Sequence, residues 1–401
     1  MAKRKIQKPT RFERMYKVWD YLRKNTDRRH PTSIAKMRKD ENINAYIGDK
    51  ETINRLLKDM ANIMNLEDGG SDYKPEAEWR LYFDDFKKFY GDKERYERDD
   101  SDEDDSYIAN VMRIKNLYYN RTFSEKEVDS IIEGIMATRT LDSKSAQELV
   151  RKVEDNMTTV FYKRTPRHIC KVQEPELADR ELLKDNLAII QKAIDDNVRI
   201  QFRFNGYSYE KKLEPVREES DELSPYYIVA SGGKYYLLAA KEYEDYKPDM
   251  SIWRIDLMTD IEIPGRNDRL HIKGIPRIPK KNVANLPEKW SEDFQLKHLN
   301  MSFDKPVPVT LRIKSEKCGD NPKKRVRPGY TFLHDWFGDS FTYIRTETKP
   351  PYDDIVRVEC SPYGMAHWAL QYSELVEILE PESLREDIKS KIKALNEKYS
   401  L

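Results

Sequence analysis

The sequence predicts an α+β multidomain protein: a helical N-terminal module closed by a hairpin, a helical connector, a small β-barrel and a C-terminal α/β sandwich domain. Three observations predict it. Apolar residues recur at helical spacing through most of the first half, change to period two near residue 198, and mix both patterns after 307. Charge is divided: residues 1–65 hold 17 Lys and Arg against 8 Asp and Glu, whereas DKERYERDDSDEDD (92–105) holds 9 acids against 3 bases. The length, 401 residues, suits several domains of ordinary size.

In RFERMYKVWDYLRKN (11–25), Phe12, Met15, Val18, Trp19 and Leu22 fall on one helical face. HPTSIAKMRKD (30–40) offers Thr32 or Ser33 as the cap of a second, short helix. Gly48-Asp49 supplies a turn and an N-cap for a third, at 49–65. Ile53, Leu56, Leu57, Met60 and Met64 lie on one face of it, with Glu51, Asn54, Arg55, Lys58 and Asn62 opposite. A turn, EDGGSDYKPE (67–76), and the alternating EWRLYF (78–83) follow. Helix, helix, helix, hairpin is the order of a winged helix-turn-helix, placed at 1–90. An acidic loop and helical connector fill 91–179, where SEKEVDSIIEGIMATRT and DSKSAQELVRKVEDNM each begin on a capping Ser or Asp.

RELLKDNLAIIQKAIDDN (180–197) is a further amphipathic helix. VRIQFRFNGYSY (198–209) then alternates and carries Asn205-Gly206, a hairpin signal. Short strands joined by tight Gly turns predict the small barrel, at 180–265. Residues 266–306, dotted with Pro, read as a linker. The last domain, 307–401, opens on VPVTLRIK and closes on a strand and a helix.

Composition excludes several classes. Net charge is zero, so partner class follows from where charge sits. Cys170, Cys318 and Cys360 are far apart and form no CxxC, which predicts a reducing compartment. The N-terminus has charge without an apolar core, and no run of about 18 apolar residues occurs. A cytoplasmic protein with no membrane partner is expected. No GxSxG, HExxH, Walker A or GxGxxG is present, and the six histidines lack metal-ligand spacing. His168 and Cys170 in RHIC lack a third ligand. Neither catalysis nor a metal or cofactor is expected.

Two stretches carry adjacent tyrosines: SPYYIVA (224–230) and SGGKYYLLAA (231–240). Neighbours on a strand face opposite sides. Each pair is therefore expected to supply one packing ring and one presented ring, so that Tyr227, Tyr235 and Tyr236 become candidates to stack on a base. Arg203, Lys212, Arg217 and Arg254 lie on nearby strands and suit anion contacts. The alternative is that the tyrosines pack the barrel and the arginines pair with Glu210, Glu214 and Asp256.

SPYYIVASGGKYYLLAA followed by WRIDLM resembles the signature strands of the WYL-domain transcriptional regulators, and ALQYSELVEILEPESLREDIKSKIKALNEKY resembles their C-terminal extension domain. The naming triplet stands here as Tyr235-Tyr236-Leu237, and Leu257 replaces an arginine of the later strand. The resemblance covers three blocks, 11–85, 180–262 and 307–401. It implies a bacterial regulator whose barrel is of Sm-like or SH3-like type, with a pocket at Ser231, Tyr236 and Arg254.

Together these readings predict a DNA-binding homodimer. Lys50, Thr52, Asn54, Arg55 and Lys58 would face duplex DNA from the third helix, with Lys36 and Arg38 on phosphates. The barrel would sense a nucleotide or single-stranded nucleic-acid effector and alter operator affinity. The alternative is a nucleic-acid-binding accessory protein of a defence or repair system, without a dedicated operator.

Overall fold

The structure, a computed structural model, describes residues 8–67, 73–86, 114–138, 141–164, 180–242, 245–314 and 329–400. The acidic stretch 92–105, the His168–Cys170 pair and Cys318 lie outside the described residues. The chain divides into two units, Met1–Pro175 and Glu176–Leu401.

The first unit begins with α1 (Arg11–Asn25), α2 (Ile34–Met37), α3 (Asn44–Ile47) and α4 (Lys50–Asn65). Local signals set the helix starts. Thr10 and Glu13 form a capping box on α1, Ser33 Oγ accepts from Lys36 N, and Asp49 accepts from Thr52 N at 2.7 Å. Gly48 turns the chain into α4 at φ +69°, a conformation that side-chain-bearing residues avoid. Val18, Leu22, Ile53, Leu57 and Met60 are buried together with Trp79, Phe83 and Phe86.

Strand pairing in this unit departs from the expected local hairpin. β1 (Leu81–Tyr82) pairs antiparallel with β2 (Tyr118–Tyr119), and Thr32 bridges Leu117 beside them. Across the 67–76 turn the described residues form one isolated bridge, Leu66 to Tyr73. The apolar side of β1 thus finds its partner beyond the acidic stretch. Ile114 and Leu117 join the same core, which runs past residue 90, the expected end of the module. Next come α5 (Glu125–Ala137), with a Ser124/Glu127 capping box, and α6 (Ser143–Met157), capped by Asp142. They pack through Val128, Ile132, Val150 and Val153.

The second unit opens with α7 (Arg180–Asp196) and six strands: β3 (Ile200–Tyr207), β4 (Leu213–Pro215), β5 (Asp221–Ser231), β6 (Lys234–Ala240), β7 (Met250–Arg254) and β8 (Met258–Glu262). Their order is β4-β3-β5-β6-β7, with β8 also on β3, so the sheet curls into a half-barrel. Leu183, Ile190 and Ala193 of α7 pack on its inner face against Ile200, Phe202, Leu223 and Leu237. Asn205-Gly206 is not the hairpin turn. β3 runs through both residues, and Asn205, which is buried, donates to the Leu257 carbonyl at 3.0 Å. The turn falls later, where Ser208 N bonds Lys212 O.

Residues 266–306 are not a bare linker. Ile278, Val283, Leu286, Phe294 and Met301 are buried against Tyr226, Val229, Leu238 and Met250 on the outer face of the half-barrel. The segment includes α8 (Phe294–Lys297). Prolines make it irregular, but its apolar side chains form a second layer. Beyond it come β9 (Val307–Ile313), α9 (Thr331–Phe337), β10 (Thr342–Thr346), β11 (Asp354–Cys360), α10 (Pro362–Gln371), β12 (Val376–Glu380) and α11 (Glu382–Tyr399). The antiparallel sheet order is β10-β11-β9-β12, and Leu333, Phe337, Trp368 and Leu384 of the helices join Val309, Leu311 and Val356 in its core. The fold is α+β. Among the described residues no helix is long and apolar enough to cross a membrane.

Candidate nucleic-acid and effector interfaces

α4 presents Lys50, Thr52 and Arg55 to solvent, and Lys36 and Arg38 are exposed at α2. Arg38 Nη2 donates to the Gly48 carbonyl at 3.1 Å, which joins α2 to the turn before α4. Thr52, through its backbone N–H and then its hydroxyl, holds the Asp49 carboxyl below its usual range, with help from the Arg14 and Arg38 charges. Arg55 forms an i,i+4 pair with Glu51 at 2.9 Å.

Asn54 and Lys58 were expected on this face, and the structure corrects that. Both are buried, at 0% and 5% exposure. Residues 54, 58, 61 and 65 form a second buried stripe of α4, beside the apolar one. The stripe ends in Asn65, whose Nδ2 donates to the Leu81 carbonyl at 2.8 Å and whose Oδ1 accepts from the Arg80 and Leu81 amides at 2.8 and 3.1 Å. Of the side drawn outward on a helical wheel, Asn54 and Lys58 therefore face inward, whereas Glu51 and Arg55 stay exposed. Arg11 and Arg14, which sequence reasoning passed over, line a groove of about 470 Å³ with Thr52, Arg55, Glu51 and Asp59. Their only signal was basic residues three apart on the first helix.

In the half-barrel, Tyr236 on β6 lies directly opposite Arg254 on β7. Asp256, buried, takes Arg254 Nε at 3.1 Å and Nη2 on its second oxygen, while Nη1 makes no hydrogen bond among the described residues. Burial draws the guanidinium down, but the Asp256 hydrogen bond and charge outweigh it, and its pKa stands above the ordinary value. Burial pushes the Tyr236 phenol up, opposed by Arg254, so the hydroxyl stays a donor. The charge of Tyr207 also reaches Arg254, and Tyr207 is an exposed ring that sequence reasoning missed. Its signal was the period-two register it shares with Arg203.

The other expected effector residues are not gathered there. Tyr227 donates to the Pro287 and Glu288 carbonyls, accepts from Lys280 Nζ at 2.8 Å and packs on Trp290, so the second layer closes it off. Tyr235 packs on the inner core. Ser231 sits at the end of the β5–β6 hairpin, opposite Lys234 across Gly232 and Gly233, which both carry positive φ. Arg217 pairs with buried Asp221 at 2.7 Å, above the Trp253 ring, on the opposite side of β7 from Arg254. Lys212 pairs with Glu210 at 2.7 Å, and Arg203 lies 3.8 Å from Asp260.

The tyrosine pairs behave differently from one another. Tyr235 faces the inner core and Tyr236 the outer cluster, as alternation requires. Tyr226 and Tyr227 both pack on the outer cluster, because the β5–β6 register shifts between Pro225 and Tyr227.

Residues 305–395 match the WCX domain family, so the C-terminal domain is similar to that class. No curated protein matches the chain. Among solved structures, the proteasome accessory factor B/C (PafBC) of Arthrobacter aurescens is similar at 16% identity and a TM-score of 0.22, over 72% of this chain and 40% of that one. The chain thus spans well under two thirds of that structure. A CRISPR Cas-related protein is similar at 12% identity and a TM-score of 0.31, over 76% of each chain.

Proposed function

We propose that the chain is a cytoplasmic transcriptional regulator of the WYL type, with a winged helix-turn-helix that binds operator DNA as a homodimer. The observation that carries this reading is the α4 surface: Lys50, Thr52 and Arg55 outward, with Lys36 and Arg38 alongside. In this reading Arg55 reaches a guanine edge, and the lysines and Arg38 hold phosphates. The effector is a nucleotide or a short nucleic-acid single strand. A base stacks on Tyr236, worth roughly 1–3 kcal/mol, and a phosphate meets Arg254 Nη1. The effector changes operator affinity through its different affinity for two arrangements of the dimer. No catalytic step, metal or cofactor belongs to this reading.

The second reading, an accessory protein without an operator, is favoured by one observation. The connection between β1 and β2 includes the stretch 92–105, with its 9 acids and 3 bases, so the module that carries α4 is not basic throughout. That charge lowers the net positive charge an operator-binding module would use to draw in DNA. Fluorescence anisotropy on labelled duplex, with and without short single strands, separates the two. A single-strand-dependent shift in wild type, abolished in Tyr236→Leu and Arg254→Met, supports the regulator. Binding indifferent to both duplex sequence and single strands rejects it.

A further inference from the structure

The first unit holds a second polar cavity, with walls different from those of the α4 groove. It is a groove of about 740 Å³ between the last turn of α1 (Arg23, Lys24), the end of α6 (Glu154, Asp155) and the segment that follows (Lys163, Arg164). That volume is ordinary for a small-ligand site. The walls are tied together: Val160 N donates to the Lys24 carbonyl and Arg23 Nη1 to the Asn156 carbonyl, both at 3.0 Å. His30 stacks on Phe161 with ring centroids 4.1 Å apart.

The cations of this region are short of acceptors. Arg23 Nε, Arg164 Nε and both Nε and Nη2 of Arg121 are buried atoms with no hydrogen-bond partner among the described residues. Asp20 serves two cations at once, Arg23 at 3.2 Å and Lys24 at 2.9 Å. Glu154 stands 3.6 Å from Arg164 Nε, outside hydrogen-bond range. Arg121 stands close enough to Arg23 for like charges to interact, and burial, then Arg23, lowers its pKa to about 10. Tyr119, then Asp27 and Glu125, offset this in part. A guanidinium offers five donors and no acceptor, so buried donors facing other cations are costly unless an anion joins them.

We infer that this groove binds a phosphate-bearing anion, held by Arg23 and Arg164 with Lys163 at the rim, and that the charge of Arg121 acts on it through Arg23. A phosphate supplies several acceptors in the forked geometry that guanidinium favours. It competes with Glu154 for Arg164, and Asp155 sets a limit on how much negative charge the groove accepts. Because one wall is α1 and the other follows α6, a bound anion clamps the helical module to the connector. The anion comes from one of two sources, a free phosphate compound or a DNA backbone phosphate.

The test uses the full chain, titrated calorimetrically with pyrophosphate at constant ionic strength, and separately with a short duplex across a salt series. A free-ligand site predicts saturable pyrophosphate binding, weakened about tenfold in Arg164→Gln and in Lys163→Gln, with the duplex salt slope unchanged. A backbone site predicts no saturable pyrophosphate binding and a log K against log salt slope reduced by about one in Arg164→Gln. If pyrophosphate does not bind and the slope does not change, the inference is overturned. Arg121→Met adds a stability readout. It should raise the melting temperature of the free protein, by removing a buried charge that its neighbours offset only in part, and shrink any rise that pyrophosphate produces. A lower melting temperature would mean that Arg121 is held by the fold and has no part in the site.

Discussion

Asn65→Ala should unfasten α4 from β1. The side chain is fully buried and makes three hydrogen bonds to the strand, to the Leu81 carbonyl and to the Arg80 and Leu81 amides. Alanine removes all three. Each bond contributes about 1 kcal/mol net, and a buried backbone group left without a partner costs about 1–3 kcal/mol. Leu81 is buried, whereas Arg80 is half-buried and regains water, so the expected loss is about 3–4 kcal/mol. With a urea slope of about 2 kcal/mol/M, the unfolding midpoint of the first unit falls by about 1.5–2 M. Trp79 reports the transition, because its ring is buried and its indole N–H donates to the Lys74 carbonyl at 2.6 Å. Asn62→Ala is the control. That side chain accepts one bond, from the Tyr73 hydroxyl at 2.7 Å, in a half-buried setting, and its loss should cost under about 1 kcal/mol. A cost for Asn65→Ala no larger than the control would refute the idea that this side chain sets the helix-to-strand geometry.

Three further outcomes are expected. Gly48→Ala should destabilise the first unit by about 1–3 kcal/mol in urea titration, since Gly48 sits at φ +69°. Asp256→Asn should weaken effector binding by isothermal titration about as much as Arg254→Met does, because the Asp256 carboxylate fixes the Arg254 fork. His298 gives a pH dependence. Burial lowers its pKa below the ordinary 6.5, only partly offset by the Ser302 carbonyl. The unfolded chain therefore binds the proton more readily than the folded one. Its contribution is complete above 6.5 and is lost as pH falls below that, at up to about 1.4 kcal/mol per pH unit. Denaturation of the second unit at pH 5 to 7 should show this slope, and His298→Asn should flatten it.

Local signals carried the helices well. The caps at Ser33, Asp49, Ser124 and Asp142 all stand where the residue types predict, because a cap depends on a side chain and an amide three residues on. What failed depended on partners distant in sequence. Asn54 and Lys58 look like outward polar residues, yet both lie on the buried stripe of α4 that ends in Asn65. β1 pairs with residues beyond the acidic stretch, which no local pattern announces. Period two explains Tyr235 and Tyr236 but fails at Tyr226 and Tyr227, where the register shifts. The prolines of 266–306 hid an apolar set with neither period, which covers the outer sheet and takes up the Tyr227 hydroxyl. Tyr236 and Arg254 were legible as a pair, whereas Arg121 stands in YYNRTF with no local signal and gains interest only from its burial beside Arg23.

The most direct test of the central claim is selection of the full chain against random duplex DNA, followed by a salt titration of the enriched sequence with wild type and with a Lys50→Gln, Arg55→Gln double variant. The account predicts a two-fold-symmetric consensus, and a log K against log salt slope that falls by up to about two in the double variant. Failure to enrich any sequence, or enrichment with affinity and slope untouched by the double variant, would contradict it.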